Sequence, residues 1–148
     1  MDYSKKSGEY FSNGYCCAES VLLGISEAKN LQSDLIPKIA TGFCTGIAKT
    51  DSLCGALVGG ILGINIFTGR NIAGADRTKN YELIQNLVNI FKKEFGVTAC
   101  TEVCGCNLST LSGQEKFAES EAKSICLKAV ERTTEIVLQL LDENHTNL

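Results

Sequence analysis

Apolar residues recur at intervals of three and four along most of this chain and rarely alternate, so the pattern predicts helices rather than strands. Tyr3 to Ser12 reads as a short first helix, ended by Asn13-Gly14 as a C-cap. From Tyr15 to Ala28, Cys17, Val21, Gly24 and Ala28 share one stripe. Cys17 is therefore expected to face inward, with Cys16 about 100° away round the helix. A third helix is expected from Ser33, an N-cap before Asp34, through Ile39 towards Gly42. Gly42-Phe43-Cys44-Thr45-Gly46 reads as a glycine-flanked loop. Ala75 to Phe95 is amphipathic, with Tyr81, Ile84, Leu87, Val88, Phe91 and Phe95 on one side and Lys79, Glu82, Asn86, Asn89, Lys92 and Lys93 on the other; Gly96 stops it. A last helix is expected from Ser112 to about Asp142, opened by a Ser112-Gly113-Gln114-Glu115 capping box. Its buried stripe would hold Ala118, Ala122, Ile125, Cys126, Ala129, Val130, Thr133, Ile136, Val137, Leu140 and Leu141.

One segment is apolar on every side. Leu53 to Phe67 runs 15 residues, includes Asn65 and is bracketed by Asp51 and Arg70. A spanning helix needs ~20 apolar residues, so a buried core helix is the better reading and no membrane partner is expected. Gly55, Gly59 and Gly63 fall four apart on one face, where a neighbouring backbone can pack close. That face suggests a homodimer, or equally a contact within the chain. The expected architecture is all-α: one compact domain over residues 1–148, a bundle of five or six helices around this glycine-rich apolar central helix.

Composition agrees with a globular core, since 44% of residues are hydrophobic and 21% charged. The net charge of −3 gives no footprint for nucleic acid or anionic membrane. The first ten residues lack an apolar core and a small-residue cleavage site, so no secretory leader is expected and the location is taken as cytoplasmic.

The chemistry rests on sulfur. There are eight cysteines but one histidine, His145, in a polar tail where solvation is expected. A Cys–His nucleophile pair and mixed Cys/His zinc sites are therefore disfavoured. Cytosolic thiols stay reduced and more often bind metal or carry redox equivalents than form structural disulfides. The cysteines stand at 16, 17, 44, 54, 100, 104, 106 and 126, and no two are three apart. That spacing removes the thioredoxin, c-type haem, ferredoxin and zinc-ribbon motifs. Cys17, Cys54, Cys100 and Cys126 lie in four separate helical regions, which a bundle can bring together. Cys126 is core-facing, and Cys100 and Cys104 share a face if their segment is helical.

Several pieces of the chain are shared with a known family. They are Tyr15-Cys16-Cys17-Ala18-Glu19-Ser20-Val21-Leu22 and Cys54-Gly55-Ala56-Leu57-Val58-Gly59-Gly60. Phe95-Gly96, Cys100-Thr101-Glu102-Val103, Cys106-Asn107-Leu108 and Cys126 with Val130 follow. Together they resemble the family of small proteins named as redox-active for a C-GCAxxG-C-C pattern. The resemblance covers nearly the whole chain, and its Cys-Gly-Ala-x-x-Gly piece is the most specific. Matched position by position, it implies Cys17, Cys54, Cys100 and Cys126 as the family's four cysteines and first-rank metal ligands. It also implies kinship with the cysteine-bearing domain of split-Soret cytochromes, where that domain accompanies a haem-binding portion. This chain has no Cys-x-x-Cys-His, so covalent haem is not expected. It departs from the pattern at Cys44, where a glycine-rich run is expected, and adds Cys16 and Cys104. Cys44, Cys104, Cys106 and Cys16 are therefore substitute ligands or redox thiols.

The leading expectation is a small redox protein binding an iron–sulfur cluster for electron transfer with an unidentified redox partner. Four thiolates suit a [2Fe–2S] or [4Fe–4S] cluster, and apolar surroundings with glycine backbones suit its shielding. The alternative is a clusterless dithiol–disulfide oxidoreductase, and the third is a structural zinc protein with four thiolate ligands. Without a cluster, Cys54 at its helix start is the expected reactive thiol, paired with Cys44, Cys17 or Cys100. Asp51 opposes its ionisation and Lys49 partly offsets that, so the sign of its shift is open from sequence.

Overall fold

The structure is a computed structural model that describes residues 1–146, with side chains through residue 144. The side chain of His145 lies outside the described residues. Among the described residues eight α-helices follow in order: α1 (Tyr3–Ser12), α2 (Cys17–Ala28), α3 (Cys44–Lys49), α4 (Gly55–Thr68), α5 (Thr78–Phe95), α6 (Cys100–Cys104), α7 (Leu111–Glu119) and α8 (Ala122–Thr146). The chain is all-α, as its periodicity predicts, but with more helices than five or six. Among the described residues there is no strand, only an isolated antiparallel bridge between Leu53 and Ala99.

α1 begins where Asp2 Oδ1 accepts the Ser4 and Lys5 N–H groups at 3.1 and 3.3 Å. It packs on α2 and α8, and α2 packs most extensively on α4. That contact needs Gly59: a Cβ there would fall 2.6 Å from the Ala18 carbonyl oxygen, so only glycine lets the two backbones touch. α4 also meets α5 and α8, and the interior between them is filled by Leu57, Ile64, Leu87, Phe91, Val130 and Val137. No helix among the described residues is long and apolar enough to cross a membrane.

Four local expectations change. The helix expected from Ser33 is instead a turn followed by a 3-10 helix over Lys38–Phe43. The cause is Pro37, which has no N–H to donate and disfavours helical backbone at Ile36. The loop expected at Gly42–Gly46 is not irregular. It runs into α3, where Thr45, Gly46, Ile47 and Ala48 all take left-handed dihedrals, with φ of 54°, 65°, 59° and 53°.

The amphipathic helix starts at Thr78, and its buried row is Asn80, Leu83, Leu87 and Phe91. Tyr81 is 48% exposed, so the core face is rotated from the one expected. Asn80 can be buried because its Nδ2 donates to Asn65 Oδ1 and Thr68 Oγ1, both at 2.9 Å. Gly96 ends the helix in the left-handed conformation, as expected.

The long last helix is two helices. Thr110, not Ser112, caps the first, its Oγ1 accepting the Gly113 N–H at 3.0 Å. Ser120 turns extended and its Oγ takes the Ala122 N–H at 3.2 Å, which starts α8 afresh. The break resets the phase, leaving Ala118 exposed and Ile125 40% exposed, while Ala129, Val130, Thr133 and Val137 stay buried.

Candidate functional site: a buried thiol cavity

Five cysteines converge on one cavity of about 280 Å³: Cys17, Cys54, Cys100, Cys104 and Cys126, with Cys16 at its edge. They come from α2, α4, α6 and α8. Phe11, Val103, Leu108, Phe117 and Ala129 supply apolar wall. Lys123 is the one cation among the lining residues. A larger open cleft of about 370 Å³, between Tyr10, Ser26, Glu27, Asn30 and Ile36, contains no sulfur.

Backbone pairing places two of the five. Cys54 N–H donates to Thr98 O at 2.7 Å and Cys100 N–H donates to Ser52 O at 2.8 Å. This short antiparallel contact sets the start of α4 against the start of α6. Cys54 is the residue before α4 and Cys100 the first of α6, so both sulfurs lie at helix openings. Cys104 follows one turn later on the same face of α6. Cys17 is the first residue of α2, and Cys126 reaches in from α8.

Two glycines make room for these sulfurs. A Cβ on Gly55 would collide with Cys17 Sγ and would lie 3.3 Å from Cys44 Cα. A Cβ on Gly46 would fall 2.7 Å from Cys100 Cβ, and its φ of +65° belongs to the left-handed region. The left-handed turn thus brings backbone against the thiols.

The electrostatics follow from burial. Burial pushes the Cys17 thiol up, against backbone N–H groups of Thr45 and Ala18 that favour its thiolate. Burial raises Cys54 to about 11, and Cys17 adds repulsion, while the N–H groups of Leu57 and Ala56 oppose it. Burial also raises Cys100 to about 12, reinforced by Cys104, Cys54 and Cys17. Cys126 is raised by burial and then by Cys104, Cys17, Cys54 and Cys100. The metal-free thiols therefore hold their protons at neutral pH. This decides the sign left open for Cys54: the opening of α4 does aim N–H groups at its sulfur, but desolvation outweighs them. Asp51 accepts the Thr101 hydroxyl instead. The cavity is not built for a free, reactive thiolate.

The other cysteines stand apart. Cys106 is buried, its Sγ 4.0 Å from Ser120 Oγ, and its carbonyl oxygen accepts from Cys104 Sγ at 3.3 Å. Cys16 and Cys44 are joined as a disulfide, with Cα atoms 5.8 Å apart, whereas the other six cysteines are free. Donor atoms of Cys16, Cys44 and Glu19 all lie within 4.8 Å of one another. The four residues singled out by sequence thus share one cavity. Cys104, the substitute expected to share a face with Cys100, joins them. The Cys16–Cys44 bridge had no signal, because the turn that delivers Cys44 has no sequence signature.

The family described as "Putative redox-active protein (C_GCAxxG_C_C)" matches residues 15–140. That span contains every cavity cysteine. An uncharacterized protein of Archaeoglobus fulgidus is 26% identical over 145 residues, 96% of this chain and 95% of the relative. No solved structure matches.

Proposed function

The chain belongs to the C_GCAxxG_C_C family, and from that membership we propose that it is an electron-transfer protein holding an iron–sulfur cluster in the thiol cavity. One observation carries the reading: five sulfurs from four helices meet in one largely apolar cavity, where burial holds the thiols of Cys17, Cys54, Cys100 and Cys126 protonated without a metal. Such a site stores no useful thiolate, but these cysteines could hold a metal–sulfide core as thiolates, because the core would supply positive charge in place of their protons. Cys17, Cys54, Cys100 and Cys126 are the first-rank ligands, with Cys104 within the same cavity as a substitute.

When bound, the cluster supplies a one-electron couple. The chain's own residues set its surroundings. The N–H groups of Thr45, Ala18, Ala56 and Leu57 donate towards sulfur and favour the reduced, more negative state. Gly55 leaves room for Cys17, and Phe11 and Phe117 exclude water.

Anaerobic purification, absorption spectroscopy and analysis for iron, zinc and acid-labile sulfide test this. A brown protein with iron and sulfide is expected. Cys17→Ser, Cys54→Ser, Cys100→Ser and Cys126→Ser should each remove most of the iron, while Cys16→Ser retains it. Equal iron in Cys17→Ser and Cys16→Ser defeats the ligand assignment. A colourless protein with zinc alone replaces the redox reading with a structural one.

A further inference from the structure

We propose that Cys16 and Cys44 form a second redox centre, at the edge of the thiol cavity and using none of its five sulfurs, that exchanges electrons with small-molecule disulfides. The two sulfurs are joined across Cα atoms 5.8 Å apart, inside the ~4.4–6.8 Å window of ordinary bridges. Neither is among the four cysteines matched to the family pattern. The pair is asymmetric in the way an exchange site requires. Cys16 is partly exposed, whereas Cys44 is 5% exposed. The accessible sulfur can meet a substrate, and the buried one can meet only its partner.

The surroundings fit that division. Cys16 precedes α2, and its backbone N–H donates to Glu19 Oε2 at 3.1 Å. Thr41 Oγ1 donates to Glu19 Oε1 at 2.7 Å, tying the start of α2 to the 3-10 helix that leads into Cys44. The surface before Cys16 is open. Nothing lies within 4 Å of where a Gly14 side chain would begin, and Tyr15 is 41% exposed. A small disulfide can approach there, over the tyrosine ring. Space beside Cys44 is closed by α4, where a Gly55 Cβ would lie 3.3 Å from its Cα.

The reaction balances without another reactant. Starting from the dithiol, Cys16 sulfur attacks one sulfur of the substrate; a Cys16–substrate S–S bond forms and the substrate's own S–S bond breaks. The first thiol leaves with the proton that Cys16 gives up. Cys44 sulfur then attacks Cys16 sulfur, forming the Cys16–Cys44 bridge and releasing the second thiol with the proton of Cys44. The substrate gains the two electrons the pair loses. An excess of small thiol drives the same steps backwards.

Full-length protein, reduced with dithiothreitol and freed of it, is mixed with oxidised glutathione. Alkylation and peptide mass spectrometry then locate every bridge. Wild type should release two glutathione thiols per chain and carry the Cys16–Cys44 disulfide. Cys44→Ser should stop at one thiol, with glutathione held on Cys16. Cys16→Ser should slow thiol release by ~10-fold or more, because buried Cys44 cannot replace it. The readout follows Cys16 and Cys44 alone, so it stands whether or not iron is found in the cavity. Failure of dithiothreitol to open the bridge in the folded protein overturns the proposal. So does glutathione appearing first on a cavity cysteine, or an unchanged rate in Cys16→Ser. Protection of reduced Cys16 and Cys44 from alkylation that a zinc chelator removes would replace the exchange site with a metal site that includes Glu19.

Discussion

Gly55 meets Cys17 on one side and the backbone of Phe43 and Cys44 on the other, its missing Cβ lying 3.0 Å from the Phe43 carbonyl oxygen. Gly55→Ala forces sulfur or backbone aside. It is expected to destabilise the fold by ~1–3 kcal/mol and to lower metal content. Gly42 is the control, because nothing lies within 4 Å of its missing Cβ and its φ is ordinary. Gly42→Ala should be neutral or stabilising by up to ~1 kcal/mol, through the unfolded chain. Urea midpoints of the two variants measure the contrast; equal shifts mean that Gly55 is not a packing constraint.

The thiols add a pH dependence to the metal-free, reduced protein. Folding raises Cys54 from 9.0 to about 11 and Cys100 from 9.0 to about 12. Below pH 9 both states keep their protons and stability is full. Between 9 and about 11–12 the unfolded chain ionises first, so stability falls as pH rises. The slope is on the order of 1 kcal/mol per pH unit for each thiol. Urea midpoints between pH 7 and 11 should therefore decline only on the alkaline side, and Cys54→Ala should flatten the decline.

At the level of elements, what was legible depended on whether side-chain period or backbone geometry made the element. α1, α2, the end of α5 and the stripe of α8 follow the apolar period and glycine stops, and α4 follows its apolar run; the stripes of α2 and α8 put Cys17 and Cys126 inward. The contact between Ser52–Cys54 and Thr98–Cys100 leaves no periodic trace, because it is a backbone pairing of distant segments. The break before α8 was hidden because Ser120 sits inside a continuous helical pattern, and only its hydroxyl bond to Ala122 ends α7. α3 was illegible for a stronger reason: Thr45, Ile47 and Ala48 are poor left-handed formers, yet they take φ above 50°. Strained backbone of this kind persists only where its surroundings hold it, and here α3 is packed against the 3-10 helix, α4, α2 and α6. Ala48 is exposed, so Ala48→Gly can relax the strain without touching the core. It should stabilise the protein by ~1 kcal/mol, opposite to glycine's usual effect in a helix. A lower urea midpoint in that variant would contradict the left-handed conformation.

Across the described residues the structure holds three unequal cores, one of them a small cluster of Ala18, Leu22, Ala40 and Cys44. The largest, with Leu57, Leu87, Phe91, Val130 and Val137, joins α2, α4, α5 and α8 mainly through aliphatic and aromatic side chains, with Cys54 its one buried cysteine. It also occupies the glycine face of α4: missing side chains at Gly59 and Gly63 would strike Val21 and Ile25 of the same chain. That face is therefore not where a second copy would pack. A second core consists of Cys100, Cys104, Cys106, Leu108 and Ala122, so sulfur makes up most of it. A cluster bridging α2, α4, α6 and α8 would act mainly on this second core, because binding to the folded state stabilises whatever the ligands fix. Removing the metal anaerobically with a chelator should lower the thermal midpoint while leaving helical circular dichroism nearly unchanged. Hydrogen exchange should localise the loss. Amides of residues 100–108 should lose protection in the metal-free protein, while those of Leu57, Leu87 and Val137 keep theirs. Uniform loss across both sets would mean that the sulfurs support the whole fold. Unchanged exchange at 100–108 would mean that no metal spans the cavity.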